Sequence, residues 1–331
     1  MRLTTKILTK ALFVIVVALI SAIMGIAFWY RLSFSGPLQI AVVSVWGIFC
    51  IAVMTGEITR HRPVSRTAFL LAFLGFSLWW CSIQPSNSRL WADDVANTVT
   101  GTISGNIVTL NNVRNFKWRA LDDYEQSWET RRYDLSKLSS VDLFLSSWGN
   151  PDIAHTLVSF GFADEEYVTF SVEIRKERHE QFSEIAGFFK QYEIALIAAD
   201  EDDIIKTRTN IRREDVLLYR VLLTPEQRKE LFLSYMERGN KLAENPVFYN
   251  TITANCTTVV FDMVRLIVPS IPMDYRILLS GRLPSYIYDI GGFGNALSFN
   301  ELVSRALITP LAQKVGDHDD FSQFIRKPIL Q

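Results

Sequence analysis

Apolar residues gather in three blocks before residue 85 and are interleaved with polar residues after it. Ala11 to Tyr30 has no charged residue and is bracketed by Lys10 and Arg31, and Leu38 to Gly56 and Thr67 to Ile83 follow on a similar scale. A helix of about 20 apolar residues crosses a bilayer core, so the blocks predict spans over 11–30, 38–56 and 67–83. A secretory signal would have a shorter apolar stretch and a small-residue cleavage site, which favours an anchor over 1–85. The Trp79-Trp80 pair suits a helix end at headgroup level. Arg2, Lys6 and Lys10 precede the first span, and Arg60, Arg62 and Arg66 sit between the second and third. Only Arg31 sits between the first and second. Basic loops stay cytoplasmic, so three crossings put the rest of the chain outside the cytoplasm.

Past residue 85 the pattern is that of a folded domain. The polar stretch 86–105 reads as a linker. Short apolar or alternating runs predict strands at Asn106–Val113, Arg131–Leu135, Val141–Ser146, Ile153–Phe160, Tyr167–Arg175, Glu193–Ala199 and Val216–Leu223. Ile204 to Arg213 is charged and reads as a loop. Thr224-Pro225 starts a helix, with threonine as cap and proline at the first helical position. A second helix begins just after Asn255 and is stopped by Pro269 and Pro272. Strands followed by helices predict an α+β domain over 106–310, with an acidic C-terminal tail at 311–331.

Composition narrows the function. A net charge of -1 argues against nucleic-acid binding, which needs a basic stripe. Of three cysteines, Cys50 and Cys81 fall in apolar blocks, which leaves Cys256 alone in the outer domain and excludes a disulfide there. No metal-ligand spacing of cysteines is present, and no cofactor is expected.

Two elements carry candidate chemistry. If the hairpin turn centres on Asp164, His155 lies opposite Glu173, and alternation puts Ser159, Thr169, Ser171 and Arg175 on that polar face. An acid beside an imidazole fixes its tautomer and stabilises its protonated form. Cys256, in Thr253-Ala-Asn-Cys-Thr-Thr258, follows Asn255, a good cap, and so sits at a helix start. Unpaired amides and the helix dipole favour a thiolate there and can supply oxyanion donors, with Asn255 and Thr257 as support. The bland alternative is a buried thiol and a satisfied core histidine. His61, His179 and His318 lie in a loop, a charged run and the acidic tail, and read as surface residues. Arg114, Trp118, Arg119, Trp148 and Arg175 are candidates for contact with phosphate or lipid headgroups, against a plainer reading as salt bridges. The amphipathic stretch Tyr275–Tyr288 reads as a segment that lies on headgroups or forms a domain edge.

NNVRNFKWR (111–119), WETRRYDLSKL (128–138), SSWGNPDIAHTLVSF (146–160), FSVEIRKE (170–177), FFKQYE (188–193), RTN (208–210) and TANCTT (253–258) together resemble the Lnb N-terminal periplasmic domain family. The resemblance implies a permuted papain-like fold, related to NlpC-type peptidases and lecithin:retinol-acyltransferase-like enzymes, with an antiparallel sheet and packed helices. In that arrangement the histidine strand precedes the nucleophile helix. It implies Cys256 as nucleophile and His155 as base, with Glu173 where relatives have a second polar residue. The three-span anchor is not part of the motif; the spans and the resemblance together predict a multi-pass protein of a bacterial inner (cytoplasmic) membrane whose domain is periplasmic.

The implied function is a membrane-tethered thiol acyltransferase or acyl hydrolase acting on lipid or lipoprotein acyl groups. The family's characterised activity moves an acyl chain from the diacylglyceryl group of an N-terminal cysteine to its α-amine. Two alternatives remain. A cell-wall amidase or peptidase would lack an apolar cleft, and a non-catalytic envelope scaffold would hold Cys256 and His155 apart or sealed from solvent.

Overall fold

The computed structural model describes residues 2–32, 36–59, 62–294, 296–316 and 320–328. His61 and His318, named above, lie outside them, as does Arg60. The chain divides into two compact units, one of Met1–Ser86 with Phe182–Gln191 and one of Asn87–Gln181 with Tyr192–Gln331.

The first unit is built on α1 (Arg2–Arg31), α2 (Gly36–Ile58) and α3 (Arg62–Ser82). All three are long and apolar enough to cross a membrane, over Leu8–Arg31, Gly36–Ile58 and Pro63–Ser82. Val17, Val53 and Phe69 meet between them, and the Trp46 indole N–H donates to the Ser21 carbonyl. Glu57 is fully buried and takes a bidentate pair from Arg66 across α2 and α3. A charge so placed is tolerated because it is paired.

The second unit is an α+β domain. Its strands are β1 (Thr100–Ser104), β2 (Ile107–Arg114), β3 (Lys117–Trp118), β4 (Tyr124–Glu125), β5 (Trp128–Asp134), β6 (Leu138–Ser147), β7 (His155–Phe162), β8 (Tyr167–Arg175), β9 (Glu193–Ala199) and β10 (Asp215–Val221). The main sheet runs β1-β2-β9-β8-β7-β6-β10, with β5 also paired to β2. β2 and β9 pair in parallel, so the sheet is mixed and not purely antiparallel as expected. The two strands are far apart in sequence, so no tight turn between them imposes an antiparallel pairing.

Helices cover both faces. α4 (Glu201–Lys206) leads into a π-helical turn over Thr207–Ile211, where a charged loop was expected. The long charged side chains there are held in ion pairs, and the apolar Ile204 and Ile205 are buried. α5 (Pro225–Glu244) starts at the Thr224 capping box, and α6 (Cys256–Ile267) starts at Asn255, both as the capping residues predict. Val158, Phe160, Val168, Phe170 and Val172 pack with Phe232, Tyr235, Val259 and Val260 of these helices. α7 (Leu283–Asp289), α8 (Phe299–Ala306), α9 (Thr309–Ala312) and α10 (Phe321–Arg326) complete the chain.

Two further expectations change. The stretch 86–105 is folded, with Trp91, Val95 and Val99 buried and β1 paired along β2. The expected tail contributes to the core: Arg326 is buried, binds Asp142 and Glu201, and lies 3.8 Å from the Tyr167 ring centroid. Tyr275–Tyr288, read as lying on headgroups or forming a domain edge, turns Ile277, Leu283 and Tyr286 inward and keeps Tyr275 and Leu278 exposed, as a domain edge does.

Candidate active site

Hairpin register sets the first half of the site. Leu157 pairs with Ser171 and Val158 with Phe170, the register expected for a turn at Asp164. His155 Nε2 accordingly lies 3.2 Å from Glu173 Oε1. Ser171 is closer still: its Oγ is 2.7 Å from His155 Nε2 and donates over 2.7 Å to Glu173. With that proton committed to the carboxylate, the serine oxygen accepts from Nε2–H. Nδ1 is then the nitrogen left for another partner.

The group that answers to it is Cys256, whose thiol, against burial, is brought below its usual range by His155 and the Thr156 backbone. The hydroxyls of Thr156 and Thr257 are 3.3 Å apart and tie the start of β7 to the start of α6. His155 is the first residue of its strand, so its ring reaches the end of the sheet where α6 begins. Cys256 as a residue is half-buried.

The local sequence explains why the helix begins here. The Asn255 side chain accepts from the N–H groups of Thr257 and Thr258, each over 2.9 Å, and the Thr258 hydroxyl returns the bond to the Asn255 N–H. Within this capping box the polar groups of Asn255 and the Thr257 N–H are committed to building the helix start. The Asn255 amide nitrogen donates to the Thr251 carbonyl, and the Thr257 N–H is committed to the cap. The Cys256 N–H is the first of the helix and has no intrahelical partner, which leaves it as the donor at the sulfur.

The charges reinforce one another. Burial raises the Cys256 thiol, but the hydrogen bond and charge of His155 outweigh it and bring the thiol below its usual range. Burial also opposes the imidazolium, yet Glu173 and Cys256 lift His155 to about 9. Burial works against the Glu173 carboxylate, but His155 and Arg208 hold it well below the usual carboxylate range. The resting state this favours is a thiolate beside an imidazolium.

Arg208 is the residue the sequence reading missed. It sits on the π-helical turn, buried, donating to Glu173 over 2.9 Å and to Glu214 over 3.4 Å. Glu214 in turn accepts from Ser146, the β6 partner of His155. The run RTN at 208–210 contained the signal, but an arginine in a charged stretch has no distinguishing pattern of its own. π-Turns concentrate at functional sites, and here the turn carries the cation that holds the acid.

The candidate headgroup contacts are mostly structural. Arg114 is buried in a two-pronged pair with Asp203, and the Trp118 indole donates to the same carboxylate over 2.7 Å. Arg175 is buried and binds the carbonyls of Val95 and Ala96 and the Asn87 side chain. These groups were expected at the surface, but strand alternation turned them inward onto partners. Arg119 is exposed and paired with Asp123. Trp148 remains an open apolar surface, 47% exposed, just beyond the end of β6 that pairs with His155. The polar hairpin face is likewise no open platform. Ser159 and Thr169 are fully buried, and Ser159 bonds Glu201 of α4.

An apolar cavity of about 460 Å³ has Thr257, the residue after Cys256, in its lining. Leu143, Val158, Val260, Phe261, Leu283 and Tyr286 are among its walls, and Thr257 lies at its edge with its hydroxyl 3.8 Å from the Cys256 sulfur. A polar cavity of about 510 Å³, walled by Arg131, Asp200 and Glu201 among others, lies on the other helical layer and has no part of this constellation.

Comparison with curated proteins and with solved structures found no match. Residues 124–281 match the Lnb N-terminal periplasmic domain, a stretch that takes in His155, Glu173, Arg208 and Cys256. Residues 124–281 are thus similar to the Lnb N-terminal periplasmic domain, and they follow three N-terminal helices long and apolar enough to cross a membrane.

Proposed function

We propose that the protein is a thiol acyltransferase or acyl hydrolase of the bacterial inner membrane, crossing it three times, acting on lipid or lipoprotein acyl groups from the periplasmic side. One observation carries the reading: the residues after His155 and Cys256 meet through the Thr156 and Thr257 hydroxyls at 3.3 Å, and His155 Nε2 is held by Ser171 and Glu173. A thiolate at a helix start with an oriented imidazole is the arrangement of covalent acyl transfer. The strand of His155 precedes the helix of Cys256 in the chain, which fits a permuted papain-like fold.

In this reading the Cys256 thiolate attacks the carbonyl carbon of an ester. A C–S bond forms and the carbonyl electrons move to oxygen, where the Cys256 N–H meets the developing charge. Collapse breaks the C–O bond, and the leaving alkoxide takes the proton from His155 Nδ1. The thioester is then attacked by an amine or by water. His155 accepts the attacker's proton as the C–S bond breaks and the thiolate returns.

The apolar cavity beside Thr257 favours an acyl chain over a peptidoglycan stem, whose polar groups would lose hydrogen bonds there. A purely structural role fits poorly with a half-buried cysteine whose thiol is lowered, against burial, by a polarised imidazole. The test uses the full chain in membranes with an alkyne-tagged diacyl phospholipid or lipoprotein donor. A hydroxylamine-labile label on Cys256 is expected, absent in Cys256→Ser and reduced by about 10²–10⁴-fold in His155→Ala. A label that forms equally fast without His155 would overturn the reading.

A further inference from the structure

The segment Phe182–Gln191 joins β8 to β9, yet it groups with the three apolar helices and not with the sheet. Its contacts are with the ends of two of those helices. Phe189 stacks on Tyr30 near the end of α1 at 6.1 Å between ring centroids, and Ser183 Oγ is 3.3 Å from the Tyr30 hydroxyl. The Lys190 ammonium donates to the carbonyls of Trp80 and Ile83 at the end of α3, over 2.8 and 3.3 Å, and lies 5.1 Å from the Trp80 ring centroid. A cation on the last carbonyls of a helix suits its dipole, and tyrosine, tryptophan and lysine are the residues of a membrane–water interface.

The rest of the segment has two sides. Ala186 and Gly187 are buried, while Phe182, Ile185 and Phe188 are 53%, 54% and 42% exposed. Ile185 caps a short 3₁₀ turn over Ala186–Phe188 and Phe188 ends it, and about three residues per turn puts these two on one side; Phe182 lies just before it. Single exposed apolar residues are ordinary on any surface. Three within seven residues, on a segment docked to the ends of bilayer-length helices, are continuous with an apolar surface that lipid covers. Leu19, Ile23 and Ile26 of α1 and Leu70, Leu74 and Leu78 of α3 are exposed in the same unit.

We propose that the segment 182–191 inserts into the bilayer interface at the ends of α1 and α3, with Phe182, Ile185 and Phe188 entering the acyl boundary and Lys190 at headgroup level. The occupant of this apolar face is the bilayer itself. β8 carries Ser171 and Glu173 and runs directly into the segment, so the sheet has a second covalent tie to the anchor besides the junction after Ser86. The proposal goes beyond the acyl-transfer reading and stands without it.

The test is depth measurement in the full chain, with Cys50, Cys81 and Cys256 replaced by serine and a single cysteine at Phe188→Cys carrying an environment-sensitive fluorophore. The protein is placed in nanodiscs of phosphatidylethanolamine and phosphatidylglycerol. Leu74→Cys on α3 serves as the lipid reference and Glu226→Cys at the start of α5 as the aqueous one. A label at 188 with blue-shifted emission near that of Leu74→Cys, quenched several-fold more by nitroxide lipids than by iodide, supports insertion. Emission and iodide quenching like those of Glu226→Cys overturn it. Phe182→Cys and Ile185→Cys give the same two outcomes should Phe188→Cys fail to fold.

Discussion

Glu173→Gln removes the carboxylate charge beside His155 while keeping the shape of the side chain. The rise of His155 from an ordinary 6.5 to about 9 corresponds to about 3 kcal/mol in favour of the imidazolium, at about 1.4 kcal/mol per pH unit. The side chains are 12% and 20% exposed, so solvent screens them little. Burial and the Arg208 charge oppose the imidazolium and Cys256 favours it, and all three remain in the variant, so the figure is an order of magnitude for the loss. The ion pair with Cys256 should therefore weaken, and alkylation of Cys256 by iodoacetamide at pH 6 is expected to slow by on the order of a hundredfold. The assay follows the rate against pH in the full chain with Cys50 and Cys81 replaced. Wild type should react well below the usual thiol range, and the variant's inflection should move upward.

Thermal unfolding checks the same charges from the other side. His155 is raised, so its contribution to stability is complete below about pH 6.5 and is lost as pH rises through about 9. Glu173 is lowered, so its contribution is present above about pH 4.5 and is lost as pH falls further. The gap between wild type and variant should be widest between these limits. Arg208 keeps Glu214 as a partner, and Glu173→Gln with Arg208→Met separates lost charge from a stranded arginine. A superimposable alkylation profile in a folded Glu173→Gln protein would refute the electrostatic argument.

Two further outcomes follow from the packing. Arg114→Met strands Asp203, which is fully buried, and should cost about 3–5 kcal/mol, while Arg119→Ala at its exposed pair leaves unfolding unchanged; denaturant titration of both variants decides between a structural and a surface role. At Gly281 an added Cβ would meet the Pro151 carbonyl oxygen at 1.9 Å, and neighbouring Ser280 accepts from the Ala154 N–H just before His155, so Gly281→Ala should shift that loop and slow Cys256 alkylation at unchanged Cys256 accessibility to a small uncharged reagent.

Much of the site lay within reach of local rules. An asparagine before Cys-Thr-Thr makes a cap, and a cap makes a helix start at the thiol. Strict alternation on two strands joined by a short polar turn fixes their register, and His155 meets Glu173 as a result. The three apolar helices are equally local, because length and the lack of charge decide them. Each of these depends on residues a few positions apart, where backbone geometry leaves few choices.

The remainder depended on long-range packing. Sequence by itself placed Cys256 at a helix start and His155 at a strand start but had no means of bringing the two together, a hundred positions apart in order. Nor did it distinguish Arg208, which holds the acid, from Arg119, which faces water, since one arginine in a charged run looks like another. Arg114 and Trp118 drew attention as surface contacts, and the fold spent them on Asp203. A buried charge must find a partner wherever the tertiary structure offers one, so the fate of each arginine was decided by which carboxylate the folded sheet and helices brought beside it.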